Sequence, residues 1–137
     1  MERAASAAGD YEKGERVSKE IMVFVEDIFF TAKIRETARA LSRDVRFIRD
    51  LQGLDKRLGG PAPGMIIVDL AAESLQPLEL IKRVKKQPEW QQARVVAYAS
   101  HARAELMEEA NQLGADVVLP KSGFTQRLPE ILQSAAA

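Results

Sequence analysis

Residues 63–80 read PGMIIVDLAAESLQPLEL, and within this stretch four apolar residues, 65–68, run directly into Asp69. An unbroken apolar run of this length is typical of a strand buried on both faces of a sheet. An ionised carboxylate at the end of such a strand is costly unless it is paired, hydrogen-bonded or bound to a metal ion. Asp69 therefore either caps the next helix or belongs to a site at the end of the strand.

Strand-like and helix-like segments alternate along the chain. The predicted strands are 21–25, 44–50, 65–68, 94–100 and 116–120. The predicted helices are 29–42, 51–60, 77–86, 102–115 and 125–137. Five strands, each followed by a helix, predict an α/β domain, a flavodoxin-like (βα)5 doubly wound sandwich around a five-stranded parallel sheet of order 2-1-3-4-5. In such a sheet, the functional crevice lies outside the carboxyl ends of the strands.

The same pattern predicts the surroundings of the sheet. Residues 1–19 are polar, small and charged, so we expect a flexible N-terminal leader there and one folded domain over 20–137. The apolar run 116–119, like those of the first and third strands, is expected to be buried on both faces. The alternating segment 44–50 is expected nearer an edge of the sheet.

Aromatic residues and one proline complete the structural predictions. Trp90 is expected to pack over the edge of the sheet, and Phe29 and Phe30 in the core or at its rim. Pro129 is expected either in the first turns of the last helix or at a bend in it.

The composition excludes several classes of protein. The 20 basic and 20 acidic residues balance, so the chain lacks the cationic excess of a nucleic-acid binder. The absence of cysteine excludes disulfides and thiol catalysis, and the single histidine, His101, excludes a multi-histidine metal site. No apolar run approaches the ~20 residues of a membrane span, and no signal peptide is recognisable. We therefore expect a cytoplasmic protein that binds neither nucleic acid nor membranes directly.

Charged and polar side chains stand at the carboxyl ends of four of the five predicted strands, and they are Glu26, Asp27, Asp69, Ser100 and Lys121. Because parallel strands end at one edge of the sheet, these side chains are expected to converge. Clustered carboxylates repel one another unless a cation neutralises them, and oxygen ligands suit Mg²⁺. A lysine can hold phosphoryl oxygens, and an aspartate beside the metal can attack phosphorus to form an acyl phosphate.

Three segments, MVFVED (22–27), MIIVDL (65–70) and LGADVVLPKS (113–122), resemble motifs of the receiver domain of bacterial two-component response regulators. The resemblance covers roughly residues 20–134. It implies that Asp69 is the phospho-acceptor and a ligand of Mg²⁺, and that Glu26 and Asp27 bind the same metal ion. It also implies that Lys121 contacts the phosphoryl group and that the backbone carbonyl of Ala71 is a further metal ligand.

The chain departs from the family pattern at several positions. Receivers usually carry a proline four residues and a glycine eight residues after the acceptor, where this chain has Glu73 and Pro77. They also carry a threonine or serine at the end of strand four, and an ungapped count back from the lysine places Ala99 there. Ser100 can supply that hydroxyl only if the strand bulges or the loop begins early, and otherwise it caps the next helix. The switching aromatic residue of the family is replaced by Val118.

Two functions follow from the resemblance. The first is a stand-alone receiver-like signalling domain of a His–Asp phosphorelay, not an enzyme, with a sensor histidine kinase or phosphotransfer protein as donor and a downstream protein partner. The second is a pseudo-receiver, a protein-interaction module that works without phosphorylation. A Mg²⁺-dependent phosphatase is disfavoured because Ala71 stands where a general acid is needed. Because no residues remain after the last predicted helix for a DNA-binding or enzymatic output domain, output is expected through another protein or through a homodimer.

Overall fold

The computed structural model describes residues 19–135, whose centre is a five-stranded sheet. Its strands are β1 (Ile21–Phe24), β2 (Val45–Phe47), β3 (Met65–Asp69), β4 (Arg94–Ala99) and β5 (Val117–Pro120). All neighbouring strands are parallel, and their order is β2-β1-β3-β4-β5. The predicted fold class and the predicted strand order 2-1-3-4-5 are therefore confirmed.

Helices cover both faces of this sheet. In chain order they are α1 (Ile28–Ala40), α2 (Leu51–Leu58), α3 (Pro77–Lys86), α4 (Ala104–Gln112), α5 (Lys121–Gln126) and α6 (Leu128–Gln133). Helices α1, α5 and α6 pack on one face, here called the α1 face. Helices α2, α3 and α4 pack on the other, here called the α3 face. Short 3₁₀ turns lie at Glu73–Leu75, Pro88–Trp90 and His101–Arg103.

The two central strands β1 and β3 are buried, as their apolar runs predict. Alternate residues of a strand point to opposite faces, so Ile67 packs on the α1 face and Val68 on the α3 face. Burial on both faces leaves the end of β3 as the first place where a charged side chain meets solvent. Asp69 stands at that place.

The strands at the edges of the sheet are β2 and β5. The prediction of an edge position for 44–50 is confirmed, although β2 is only three residues long. The prediction that 116–119 is buried on both faces is wrong, because β5 is the last strand and its residues are only partly covered. Apolar composition alone does not reveal which strand lacks a neighbour.

The C-terminal region differs from the single predicted helix. It forms two helices, and α5 begins at Lys121 directly after β5 with no loop between them. Pro129 lies in the first turn of α6, where a proline is tolerated because its missing N–H would have no helical partner. The first of the two positions expected for Pro129 is thus confirmed.

Among the aromatic predictions, the one for Phe29 is wrong, and Trp90 is buried more deeply than its predicted position over the edge of the sheet requires. Trp90 is fully buried in the α3-face core, and its indole Nε1 donates a hydrogen bond to the Gly60 carbonyl at 3.1 Å. Phe29 is 82% exposed, because the helical spacing of α1 turns Phe30 and Ile34 inward and leaves Phe29 outside. Phe30 is buried, as predicted.

The predicted N-terminal leader falls almost entirely on residues 1–18, which lie outside the described residues. Within residues 19–135, none of the helices combines the length and the apolar character needed to cross a membrane.

Candidate functional site

The carboxyl ends of the strands place several charged residues on one edge of the sheet. Asp69 ends β3, Asp27 follows β1 and Lys121 follows β5. The Lys121 Nζ atom lies 3.7 Å from Asp27 Oδ2. The charges of Lys121, Glu26 and Asp27 all act on the pKa of Asp69, so the four side chains share one electrostatic environment. We call these four residues the strand-end cluster.

Asp69 interacts electrostatically with the other three residues of the strand-end cluster, and it is partly buried. Burial raises the pKa of its carboxyl above the ordinary value, and the charges of Glu26 and Asp27 also raise it. The Ala71 N–H, which donates to Asp69 Oδ1 at 3.0 Å, and the charge of Lys121 lower the pKa in part. The carboxylate is therefore poorly solvated, and a cation or an electrophile placed beside it would be attracted strongly.

Asp27 has a structural role in addition to its charge. It is the N-cap of α1, and its Oδ1 accepts hydrogen bonds from the N–H groups of Phe29 at 2.9 Å and Phe30 at 3.2 Å. The bond from Phe30 is the main cause that lowers the pKa of Asp27, and Lys121 lowers it further. The two oxygens thus have different tasks, since Oδ1 holds the helix start and Oδ2 faces the lysine.

Two substitutions at Asp27 should separate these tasks. Asp27→Asn keeps an oxygen that can cap α1 and should leave the urea midpoint of unfolding close to that of the wild type. Asp27→Ala removes the cap and should lower the midpoint clearly, because two N–H groups at the start of α1 lose their partner. Urea unfolding followed by circular dichroism measures both. Equal midpoints for the two variants would contradict the capping role.

Lys121 is held in place by the fold of the C-terminal helices. It is the first residue of α5, and its carbonyl accepts a hydrogen bond from the Thr125 hydroxyl at 2.8 Å. Its ammonium group lies 5.0 Å from the centre of the Phe30 ring, within the range of a cation–π interaction. The side chain is about half exposed, so its charge is positioned but still accessible from solvent.

The three acidic residues of the strand-end cluster offer oxygen ligands only, which suits Mg²⁺. Within residues 19–135, no three histidine, cysteine, aspartate or glutamate side chains form a group that could enclose a metal ion. The predicted trio of Glu26, Asp27 and Asp69 is therefore not a preformed three-carboxylate site. The residues do fit the arrangement in which Mg²⁺ keeps most of its waters and takes one or two carboxylates. The Ala71 carbonyl accepts a hydrogen bond from the Glu73 N–H at 3.0 Å, which leaves it one further lone pair.

The hydroxyl that receivers carry at the end of strand four is found here one residue later in the sequence, at Ser100. Strand β4 ends at Ala99, which is buried in the α3-face core, and Ser100 is exposed at the start of the loop. Ser100 caps the following 3₁₀ turn, because its Oγ accepts a hydrogen bond from the Ala102 N–H at 3.2 Å. A hydroxyl that accepts one bond can still donate another, so both roles predicted for Ser100 stay open. Val118, at the position of the family's switching aromatic, packs against the α3-face core.

Three aromatic rings pack together beside the strand-end cluster, and the sequence reasoning predicted the burial of Phe30 but not this grouping. Tyr98 stacks on Phe124 with ring centres 4.5 Å apart and meets the edge of Phe30 at 5.4 Å. Phe30 in turn contacts Phe124 and lies near the Lys121 ammonium. We call Phe30, Tyr98 and Phe124 the aromatic floor. The signal for it was the tyrosine in RVVAYAS (94–100), a polar aromatic within an otherwise apolar strand.

Comparison with known sequences and with known structures differs in outcome. No family model matches the chain, and no curated protein shows significant similarity to it. Among solved structures, the chemotaxis response regulator CheY4 of Vibrio cholerae superposes with a TM-score of 0.72 at 18% identity, covering 87% of this chain and 99% of that one. The phosphorylated cyanobacterial phytochrome response regulator RcpA superposes with a TM-score of 0.70 at 17% identity, covering 85% and 90%.

A third structure is a response regulator protein from Burkholderia pseudomallei with a phosphorylated aspartic acid, a calcium ion and citrate. It matches with a TM-score of 0.68 at 21% identity, over 88% of this chain and 67% of that one. All three likenesses cover most of the chain, but at these identities they establish the fold and not the activity. The described chain therefore has the fold of response regulator receiver domains.

Proposed function

We propose that this protein is a receiver-like signalling domain that accepts a phosphoryl group on Asp69. The observation that carries the proposal is the position of Asp69 at the tip of a central strand, in one electrostatic environment with the Lys121–Asp27 ion pair. A lone strand-end acid with a merely structural task would need neither a lysine nor two further carboxylates beside it. Structures with this fold include a phosphorylated RcpA and a response regulator with a phosphorylated aspartic acid, which supports the assignment.

The reaction moves a phosphoryl group from the donor, a phosphohistidine nitrogen or the oxygen of an acyl phosphate, to an oxygen of Asp69. An oxygen of the Asp69 carboxylate attacks the phosphorus of the donor, a new P–O bond forms, and the bond from phosphorus to the leaving group breaks with its electron pair. The product is an acyl phosphate on Asp69. Because such transfers depend mostly on positioning and charge neutralisation, the protein has to hold the carboxylate, the phosphoryl oxygens and the metal ion together.

The residues of the strand-end cluster divide the work of binding in this proposal. Lys121 binds the phosphoryl oxygens, for which it turns from Asp27, its present partner at 3.7 Å. Asp27, Asp69 and the Ala71 carbonyl would hold Mg²⁺, and Glu26 adds negative charge beside them. When bound, Mg²⁺ would neutralise the charge that builds up on the phosphoryl oxygens. Ser100 is placed to donate its hydroxyl proton to the same oxygens.

The donor in this proposal is a histidine kinase or phosphotransfer protein, and the output is a change in binding to a downstream protein or to a second copy of the chain.

The test of the proposal uses acetyl phosphate as a small donor. With Mg²⁺, the full chain should gain the mass of one phosphoryl group, and with EDTA in place of Mg²⁺ it should gain none. No gain in either sample would overturn the proposal.

A second candidate function, the pseudo-receiver, is favoured by one observation. Where receivers carry the hydroxyl that reports phosphorylation, this chain has Ala99, which is buried and apolar. A protein-interaction module that works without phosphorylation would tolerate that loss. In that case Asp69 would remain a strand-end acid whose hydrogen bond from Ala71 shapes the loop.

Metal binding gives a prediction that depends on the ion pair. Titration of Mg²⁺ should shift the amide NMR signals of Asp27 and of residues 69–71, with weak affinity, because such sites keep a water-rich shell. The Lys121→Ala variant should bind Mg²⁺ roughly a few-fold more tightly, because the ammonium no longer competes for Asp27. Amide signals near Asp116 serve as the control, because this acid precedes β5 and so lies at the amino ends of the strands, away from the site. Unmoved signals at about tens of millimolar Mg²⁺ would count against the metal site.

A further inference from the structure

Tyr98 is the register partner of Asp69 in the parallel pair of β3 and β4. Residues that face each other across two neighbouring strands project to the same face of the sheet, so both side chains lie on the α1 face. Tyr98 is only 1% exposed, whereas Asp69 reaches the rim. The Tyr98 side chain therefore lies on the same face as the proposed acceptor, at the paired position of the neighbouring strand, and below the exposed rim.

The Tyr98 ring is held rigidly by its neighbours. Phe124 stacks on it with an interplanar angle of 19°, and Phe30 meets it edge-on at 72°. A ring packed on two sides cannot swing its hydroxyl away to solvent without opening the core. The direction of the hydroxyl is therefore set by the aromatic floor.

The hydroxyl has no hydrogen-bond partner anywhere in the described part of the chain, and its oxygen is buried. A buried polar atom without a partner is uncommon and costly, and in a native protein it points to a missing ligand, ion or water. The protonation state of the phenol indicates which kind of ligand it could bind. Burial raises the pKa of the phenol, and the carboxylates of Asp69 and Asp27 raise it further, so the group remains a protonated donor.

We infer that the Tyr98 hydroxyl donates a hydrogen bond to the tetrahedral anion bound at Asp69. It thus replaces, from the buried side of the site, the hydroxyl that receivers carry at the position of Ala99. This inference rests on the proposed function of Asp69 and assigns Tyr98 to the same site. A phenol in this place is suited to an oxyanion and not to a metal ion, because it has a proton to donate and stays neutral. Its partner is the phosphoryl group itself or a stand-in of the same shape and charge.

The test uses fluoroberyllate with Mg²⁺, which forms a tetrahedral anion on a carboxylate oxygen without covalent phosphorylation. The wild type, Tyr98→Phe and Ser100→Ala are titrated, and binding is followed by ¹⁹F NMR of the bound fluoroberyllate. Tyr98→Phe keeps the ring and its stacking but removes the hydroxyl. It should weaken binding about tenfold or more, because a hydrogen bond to a charged group is lost, and it should shift the bound fluorine signals.

Stability provides the control for folding. Removing an unpaired buried hydroxyl should leave the urea midpoint of Tyr98→Phe equal to or above that of the wild type, so weaker binding would not reflect unfolding. Equal affinities and unchanged fluorine signals for wild type and Tyr98→Phe would overturn the inference and leave the proposed function standing. A loss of binding in Ser100→Ala alone would likewise assign the donor to Ser100. Failure of the wild type to bind fluoroberyllate would overturn both the inference and the proposed function.

Discussion

The Asp69→Asn variant is expected to gain no phosphoryl group from acetyl phosphate and Mg²⁺, whereas the wild type gains one. An amide in place of the carboxylate is not a nucleophile at phosphorus, so the acyl phosphate cannot form. The substitution preserves the size of the side chain and an oxygen that can accept the hydrogen bond from the Ala71 N–H. The variant should therefore fold as the wild type does, and intact-mass spectrometry of the two proteins makes the comparison.

A matched control for this variant is Asp55→Asn. Asp55 is an exposed aspartate of α2 that pairs with Arg83 at 2.7 Å and lies outside the strand-end cluster. The same chemical change there should leave phosphoryl incorporation at the level of the wild type. Incorporation that persists in Asp69→Asn, or that is lost equally in Asp55→Asn, would contradict the role of Asp69.

Replacing Trp90 by alanine is expected to lower the free energy of unfolding by about 3–5 kcal/mol, the range for truncating a large buried aromatic side chain. Trp90 is fully buried in the α3-face core, and its indole N–H satisfies the Gly60 carbonyl. For a domain whose total stability is of the order of 5–15 kcal/mol, this loss leaves little margin. Urea unfolding at 25 °C, followed by circular dichroism, measures it.

Trp90→Phe provides the graded comparison. It keeps most of the apolar volume but leaves the Gly60 carbonyl without its donor, so it should cost about 1–3 kcal/mol. Trp90 precedes β4 and therefore lies near the amino ends of the strands, whereas the strand-end cluster lies at their carboxyl ends. Trp90→Phe should accept phosphoryl groups as the wild type does. A loss in Trp90→Ala no larger than that in Trp90→Phe would contradict its place in the core.

The order of the sheet could be predicted because the alternation of strands and helices leaves few topologies for a chain of this length. The position of Asp69 could be predicted for a related reason, since an apolar run that stops at a carboxylate places the acid at a strand end. The position of β5 could not, because Val117 and Val118 have the composition of a central strand. What makes β5 an edge is that no further strand pairs with its outer side within residues 19–135, which depends on the arrangement of the whole sheet and not on local composition.

The details of the site depend on contacts that no local pattern carries. The capping of α1 by Asp27 and its ion pair with Lys121 were not predicted, and the pair joins residues that lie far apart in the sequence. The role of Tyr98 depends on register, because a shift of one residue would turn its ring to the other face. Phe29 shows the reverse error, since its apolar character suggested burial while the phase of α1 leaves it exposed.

The position of the phosphoryl group tests the central claim most directly. Borohydride reduces an acyl phosphate of aspartate to homoserine and leaves free carboxylates unchanged, so it marks the acceptor permanently. The wild type, treated with acetyl phosphate and Mg²⁺ and then with borohydride, is digested with trypsin. The peptide 58–82 contains Asp69 as its only aspartate. We predict homoserine at position 69 in this peptide. An unmodified peptide 58–82, or homoserine at another aspartate of the chain, would contradict the account.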